Sequence, residues 1–170
     1  MEFEYKERKI IYPNKELTLL DKLVLRFLGA VDFRYVVVSG YIAILFGRSR
    51  NTEDVDLFIE KIPAEEFNKL CRKLDRLGFY FIDAEDAADA YDRLNKGLSV
   101  RFAEKETVEP NFELKFPKKD TDYYSLGNPV RVLINKKYEI MTSSIELQIA
   151  YKLLDSPSNT FNYFLSGLPS

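Results

Sequence analysis

Tyr35-Val36-Val37-Val38-Ser39-Gly40-Tyr41-Ile42-Ala43-Ile44-Leu45-Phe46-Gly47-Arg48-Ser49-Arg50-Asn51-Thr52-Glu53-Asp54-Val55-Asp56-Leu57-Phe58-Ile59 is the stretch of this 170-residue chain that decides its fold. Three consecutive valines in Tyr35–Val38 read as a buried strand, and Ser39-Gly40 breaks it. A short helix over roughly Tyr41–Phe46 is expected next. From Asp54 to Ile59 the residues alternate: Val55, Leu57 and Ile59 share one face, leaving Asp54, Asp56 and Phe58 on the other. Carboxylates at i and i+2 of a strand project from the same side, close enough to share one or two hard divalent cations. Gly40 permits a close backbone approach to a ligand, and the N–H groups opening the following helix suit an anion such as phosphate. With two metal ions about 4 Å apart, one activates an attacking oxygen and the other stabilises leaving pyrophosphate.

Working outward, Asn14 is expected to cap a helix through about Val31, with Leu17, Leu20, Leu23, Val24, Phe27, Leu28 and Val31 as its apolar stripe. Pro63 opens a second helix, with Phe67, Leu70, Cys71, Leu74 and Leu77 inward and Gly78 at its end. Phe79–Ile82 is a strand and Glu85–Leu94 a short helix. Leu98–Phe102 and Asn111–Phe116 are strands about a charged turn, the second with Phe112, Leu114 and Phe116 opposite Glu113 and Lys115. Val130–Ile134 and Tyr138–Met141 flank Asn135-Lys136-Lys137 as a hairpin, and Ser143 or Ser144 caps a final helix carrying Ile145, Ile149 and Leu153. The acidic run Asp83, Glu85, Asp86, Asp89 and Asp92 lacks the glycine and ligand order of a calcium loop and reads as a solvated helix face. Tyr5, Tyr12, Tyr123 and Tyr124 are read as core or edge packing rather than as base-stacking platforms.

Length and composition narrow the chemistry. The size suits one domain spanning residues 1–170, and 46% hydrophobic with 31% charged residues is ordinary for a globular chain. The absence of histidine removes Ser-His and Cys-His nucleophile activation and His-based zinc sites, leaving metal binding to carboxylates. A net charge of −2 argues against a large nucleic-acid footprint. No apolar run approaches the roughly 20 residues of a membrane span, the N-terminus lacks a signal peptide's apolar stretch, and the lone Cys71 has no internal disulfide partner. A cytoplasmic protein without membrane contact is expected.

Ser39-Gly40-Tyr41, Gly47-Arg48, Arg50, Thr52 and Asp54-Val55-Asp56 resemble the signature of minimal nucleotidyltransferases of the DNA polymerase beta superfamily, nearest to the toxin-type, abortive-infection branch. The resemblance implies an α/β (α+β) nucleotidyltransferase fold, a mixed β-sheet flanked by α-helices. It further implies a third metal carboxylate on a neighbouring strand, best matched by Glu113, and a nucleotide-facing lysine in Ile145–Leu153, which is Lys152. Magnesium, or manganese, would then sit on Asp54, Asp56 and Glu113, with Ser39, Gly40, Arg48, Arg50 and Lys152 around the nucleotide. The activity implied is magnesium-dependent transfer of a nucleoside monophosphate from a triphosphate such as ATP to a hydroxyl of RNA or protein. An antitoxin-like protein partner is also implied. Plainer readings stand beside these: a surface carboxylate pair met by Arg48 and Arg50, Glu113 paired with Lys115, and a solvated Lys152. Two positions depart from the family. Ser39 replaces the first glycine, and Asn159-Thr160-Phe161-Asn162 stands where relatives carry an acidic segment. The alternative function is a nucleotide-binding or partner-binding domain with little or no turnover, and a third is a metal-dependent phosphohydrolase.

Overall fold

The structure, a computed structural model, describes residues 4–46 and 54–147. In chain order its elements are strands β1 (Glu4–Lys6) and β2 (Lys9–Tyr12), helix α1 (Leu19–Leu28), strand β3 (Tyr35–Val38), helix α2 (Gly40–Leu45) and strand β4 (Asp54–Ile59). Helix α3 (Ala64–Arg76), strand β5 (Phe79–Phe81), helix α4 (Ala87–Asn95) and strands β6 (Val100–Glu104) and β7 (Asn111–Lys115) follow. Helix α5 (Asp120–Gly127) and the hairpin β8 (Val130–Ile134) and β9 (Tyr138–Thr142) complete the elements. The strands form one mixed sheet in the order β1-β2-β8-β9-β3-β4-β7-β6-β5, flanked by helices. Among the described residues, no helix is long and apolar enough to cross a membrane.

Alternation sorts the sheet's two faces. Val37, Val55, Leu57, Ile59, Phe112 and Leu114 join residues of α1 to α4 in the main core, where Phe27 stacks on Phe112 at 3.9 Å and meets Phe79 edge-on at 5.1 Å. Each such buried phenyl contributes about 2 kcal/mol through loss of apolar surface. Val36, Val38 and Phe58 point the other way and pack with Leu126 of α5. Among the described residues, α5 covers part of the face that carries the polar alternates of β4 and β7, over β3 and β4.

Several boundaries differ from expectation, each for a local reason. Helix α1 starts at Leu19, not at Asn14. Its cap is Thr18, whose hydroxyl accepts from Asp21 N (3.1 Å) while the Asp21 carboxylate accepts from Thr18 N (2.9 Å), a reciprocal box. Residues before it are held otherwise: Asn135 accepts from Lys15 N at 2.7 Å and donates to Lys15 O at 2.8 Å. Leu77, placed inward, is the C-cap of α3 and exposed, because the chain turns there into Gly78 at φ 86°. Leu98 is likewise exposed, and the strand begins at Val100.

Three elements were not anticipated. The β1–β2 hairpin turns through Glu7 and Arg8 at φ 50° and 60°, where Asn-Gly would be the usual signal. Helix α5 is started by Asp122, whose carboxylate accepts from both Lys118 N and Lys119 N at 3.0 Å. Tyr12 is core, its hydroxyl donating to Leu45 O at 3.0 Å, whereas Tyr5, Tyr123 and Tyr124 are exposed rather than packed. Cys71 is buried on α3, and burial pushes its thiol up to about 12, so it behaves as a small apolar side chain. Ser144 rather than Ser143 opens the last described turn, its hydroxyl accepting from Leu147 N at 3.3 Å.

Candidate functional site

Strand β4 runs between β3, antiparallel, and β7, parallel. The register sets Asp54 opposite Asn111, Asp56 opposite Glu113 and Phe58 opposite Lys115, so three rungs lie on the same sheet face. On the far side of β7, Arg101 of β6 is level with Glu113. This register sets Asp56 and Glu113 level on one face, with Asp54 one rung away.

Asp56 and Glu113 share a side-chain hydrogen bond. Burial pushes the Asp56 carboxyl up to about 6, opposed by the Lys115 ammonium and Ser39 hydroxyl and helped by the neighbouring Glu113. At Glu113 burial acts in the same direction, but the Ser99 hydroxyl, Lys115 and the Asp56 contact outweigh it and hold that carboxyl below its ordinary range. Of the two carboxyls, Asp56 is therefore the more readily protonated. Lys115 Nζ lies 3.1 Å from Glu113 Oε1 and 3.6 Å from Asp56 Oδ1, and Arg101 Nη2 is 3.8 Å from Glu113 Oε1.

Asp54 is turned to a different partner. Asn111 Nδ2 donates to its Oδ1 at 2.6 Å, while Asn111 Oδ1, itself buried, has no hydrogen-bond partner. An unspent amide oxygen on the residue that bonds Asp54 is a ligand type suited to a hard cation or to a hydroxyl. As the side chains stand, no group of three carboxylates among the described residues is arranged to hold a metal ion. Asp56 and Glu113 fit as a two-carboxylate ligand pair, and Asp54 shares their face one rung away.

Ser39 joins the turn to this pair through its hydroxyl bond to Asp56. Its backbone sits at φ 69° and ψ −142°, a region glycine enters freely and L-residues seldom do. The serine thus holds a glycine-type conformation. Replacement by valine, whose branched Cβ tolerates this backbone least, is expected to lower stability by about 2 kcal/mol. Ser39→Gly should change it by less than about 1 kcal/mol, because relief of strain is offset by the lost hydroxyl bond and glycine's larger chain entropy. Urea denaturation of both variants checks the pair of values.

Behind the turn, α2 is anchored by a buried network. Tyr41 donates to Asp21 Oδ1 at 2.8 Å, and Lys15 forms a salt bridge with the other oxygen, Asp21 Oδ2. Burial raises the Tyr41 hydroxyl's pKa far above its ordinary value, and the adjacent Asp21 charge raises it further. This tyrosine is a fixed donor that orients Gly40 and Ser39.

Of the residues singled out from the sequence, Ser39, Gly40, Asp54, Asp56 and Glu113 lie around this one end of β4. Arg48, Arg50 and Lys152, like Asn159–Asn162, lie outside the described residues. Asn111, Arg101 and Ser99 were missed, because their proximity depends on the β4–β7 and β6–β7 registers. Lys115 was seen only as a possible partner of Glu113, and it is that partner as well as a neighbour of Asp56. Compared with protein-family models and with curated proteins, the chain matches none.

Proposed function

We propose that this chain is a nucleotidyltransferase-fold domain that moves a nucleoside monophosphate from a triphosphate to a hydroxyl of RNA or protein, with magnesium or manganese. The observation that carries this reading is the Asp56–Glu113 rung beside a Ser39 held in a glycine-type turn, with Asp54 on the same face. Asp56 and Glu113 would hold the cation, Asp54 would supply a further oxygen, and Ser39-Gly40 would border the phosphates. When bound, the cation neutralises triphosphate charge and eases departure of pyrophosphate. In the transfer the acceptor oxygen bonds to the α-phosphorus, the bond to the bridging oxygen of pyrophosphate breaks, and the acceptor's proton leaves to a carboxylate or water. An antitoxin-like protein partner belongs to the same reading.

A second reading is favoured by the Lys115 ammonium on Asp56 and Glu113, which already balances their charge: a nucleotide-binding or partner-binding domain that does not turn over. Triphosphate labelled on its α-phosphate separates the two. Label appearing on RNA or protein, dependent on magnesium, supports transfer. Label retained by the protein without being consumed supports binding alone, and release of free nucleotide without transfer indicates phosphohydrolase chemistry instead.

A further inference from the structure

Lys115 has no role in the proposed transfer, yet among the described residues it meets both Asp56 and Glu113. It stands on the rung next to Glu113, opposite Phe58, with its ammonium within 3.1 Å of Glu113 Oε1 and 3.6 Å of Asp56 Oδ1. Its side chain is 39% exposed, whereas those of Asp56 and Glu113 are 19% and 11% exposed. The ammonium thus caps the carboxylate pair from its solvent side, on a four-carbon stem that permits it to swing away. Arg101, also half-exposed, touches Glu113 only at 3.8 Å and does not reach between the two carboxylates.

We infer that Lys115 is a built-in counter-cation of the Asp56–Glu113 pair, which a divalent cation must displace, so that cation and triphosphate enter the site together. This rests on the proposed nucleotide site. The physical reason is competition for the same oxygens. A divalent ion taking up Asp56 and Glu113 meets a positive charge already beside them, and like charges at such separations repel strongly in a partly buried site. A triphosphate removes the conflict, because its own negative oxygens accept the displaced ammonium in a charge-assisted contact. Free cation alone offers Lys115 no new partner. Lys115 is a positioning residue here, acting on ligand order rather than on the reacting atoms.

The test measures manganese binding by the intact chain through electron paramagnetic resonance, without nucleotide. Retention of a labelled non-hydrolysable triphosphate at saturating manganese is measured in parallel. Lys115→Met should bind manganese alone on the order of tenfold more tightly than the wild type, and should retain the triphosphate several-fold more weakly. Lys115→Arg, which keeps the charge, should stay near the wild type in both measurements. Lys115→Gln provides a second uncharged variant should the methionine form fold poorly, as thermal melting would reveal. If the wild type retains triphosphate in a manganese-dependent way but neither uncharged variant gains affinity for manganese, the counter-cation role is wrong and the site stands. An arginine variant that behaves like the uncharged ones also overturns it. If no form retains triphosphate, the nucleotide site itself fails, and this inference with it.

Discussion

Asp56→Asn is expected to weaken cation-dependent triphosphate binding strongly while leaving the protein folded. Asparagine has the same shape and still offers an amide to Glu113, so the packing of β4 between β3 and β7 is preserved. It brings no negative charge, and loss of one ionic contact to a cation is worth about 3 kcal/mol, roughly a hundredfold in affinity. Stability should move in the opposite direction. Burial lifts the Asp56 carboxyl from 3.8 to about 6, so the folded state holds a proton that the unfolded chain has already released. Ionising that group therefore opposes folding, and the penalty grows as pH rises from about 3.8 through about 6. Asparagine removes it, and the variant at pH 7 should be as stable as the wild type or more so, by on the order of 1 kcal/mol. Equilibrium dialysis with labelled triphosphate and urea denaturation give the two numbers. Unchanged nucleotide affinity in this variant defeats the assignment of the site.

Asp21→Asn should produce the largest loss of stability, about 3 to 5 kcal/mol, although Asp21 touches no ligand. Asp21 and Lys15 are 1% and 5% exposed in their side chains, and removing the negative partner leaves an ammonium buried without a counter-charge. The pair's context makes the effect specific. Burial alone would raise the Asp21 carboxyl, but bonds from Lys15, Thr18 N and Tyr41 outweigh it and hold the group below its ordinary value of 3.8. A depressed carboxyl contributes stability that is complete above that value and is lost as pH falls through the lower folded one. The wild type should therefore show an acid-limb loss below pH 4 that the variant lacks. A double variant, Lys15→Met with Asp21→Asn, should recover most of the stability, since methionine fills the lysine's space and the asparagine oxygen still accepts from Thr18 N. Urea midpoints at pH 7 and pH 3 decide it. A cost below 1 kcal/mol in the single variant would show that water reaches Lys15.

Some of this architecture was legible in the chain because its physical cause is local. Period-two alternation in Asp54–Ile59 and Asn111–Phe116 gives the buried and polar sets directly, since neighbouring side chains of a strand must point opposite ways. Pro63, the helical spacing of Phe67, Leu70, Cys71 and Leu74, and Gly78 at φ 86° delimit α3 in the same way. Features whose cause is distant were not legible. Helix α1 begins at Leu19 because Asn135, on the β8–β9 turn, holds the Lys15 backbone, and Asn14 carries no sign of that. Helix α5 turns Tyr123 and Tyr124 to solvent and only Leu126 onto Val36, Val38 and Phe58, a pattern too sparse to show as a helical stripe.

The sequence by itself determined that Asp54, Asp56, Glu113 and Lys115 belong to the polar sides of their strands, that histidine chemistry is absent, and that a turn interrupts the chain at Ser39-Gly40. Tertiary structure alone decided that β7 lies beside β4, with Glu113 level with Asp56, Asn111 with Asp54 and Lys115 one rung beyond. The reason is that register is fixed by the opposite face. Val55 and Leu57 of β4 and Phe112 and Leu114 of β7 must all meet the core around Phe27, and a slip of one residue would turn Glu113 and Lys115 into it.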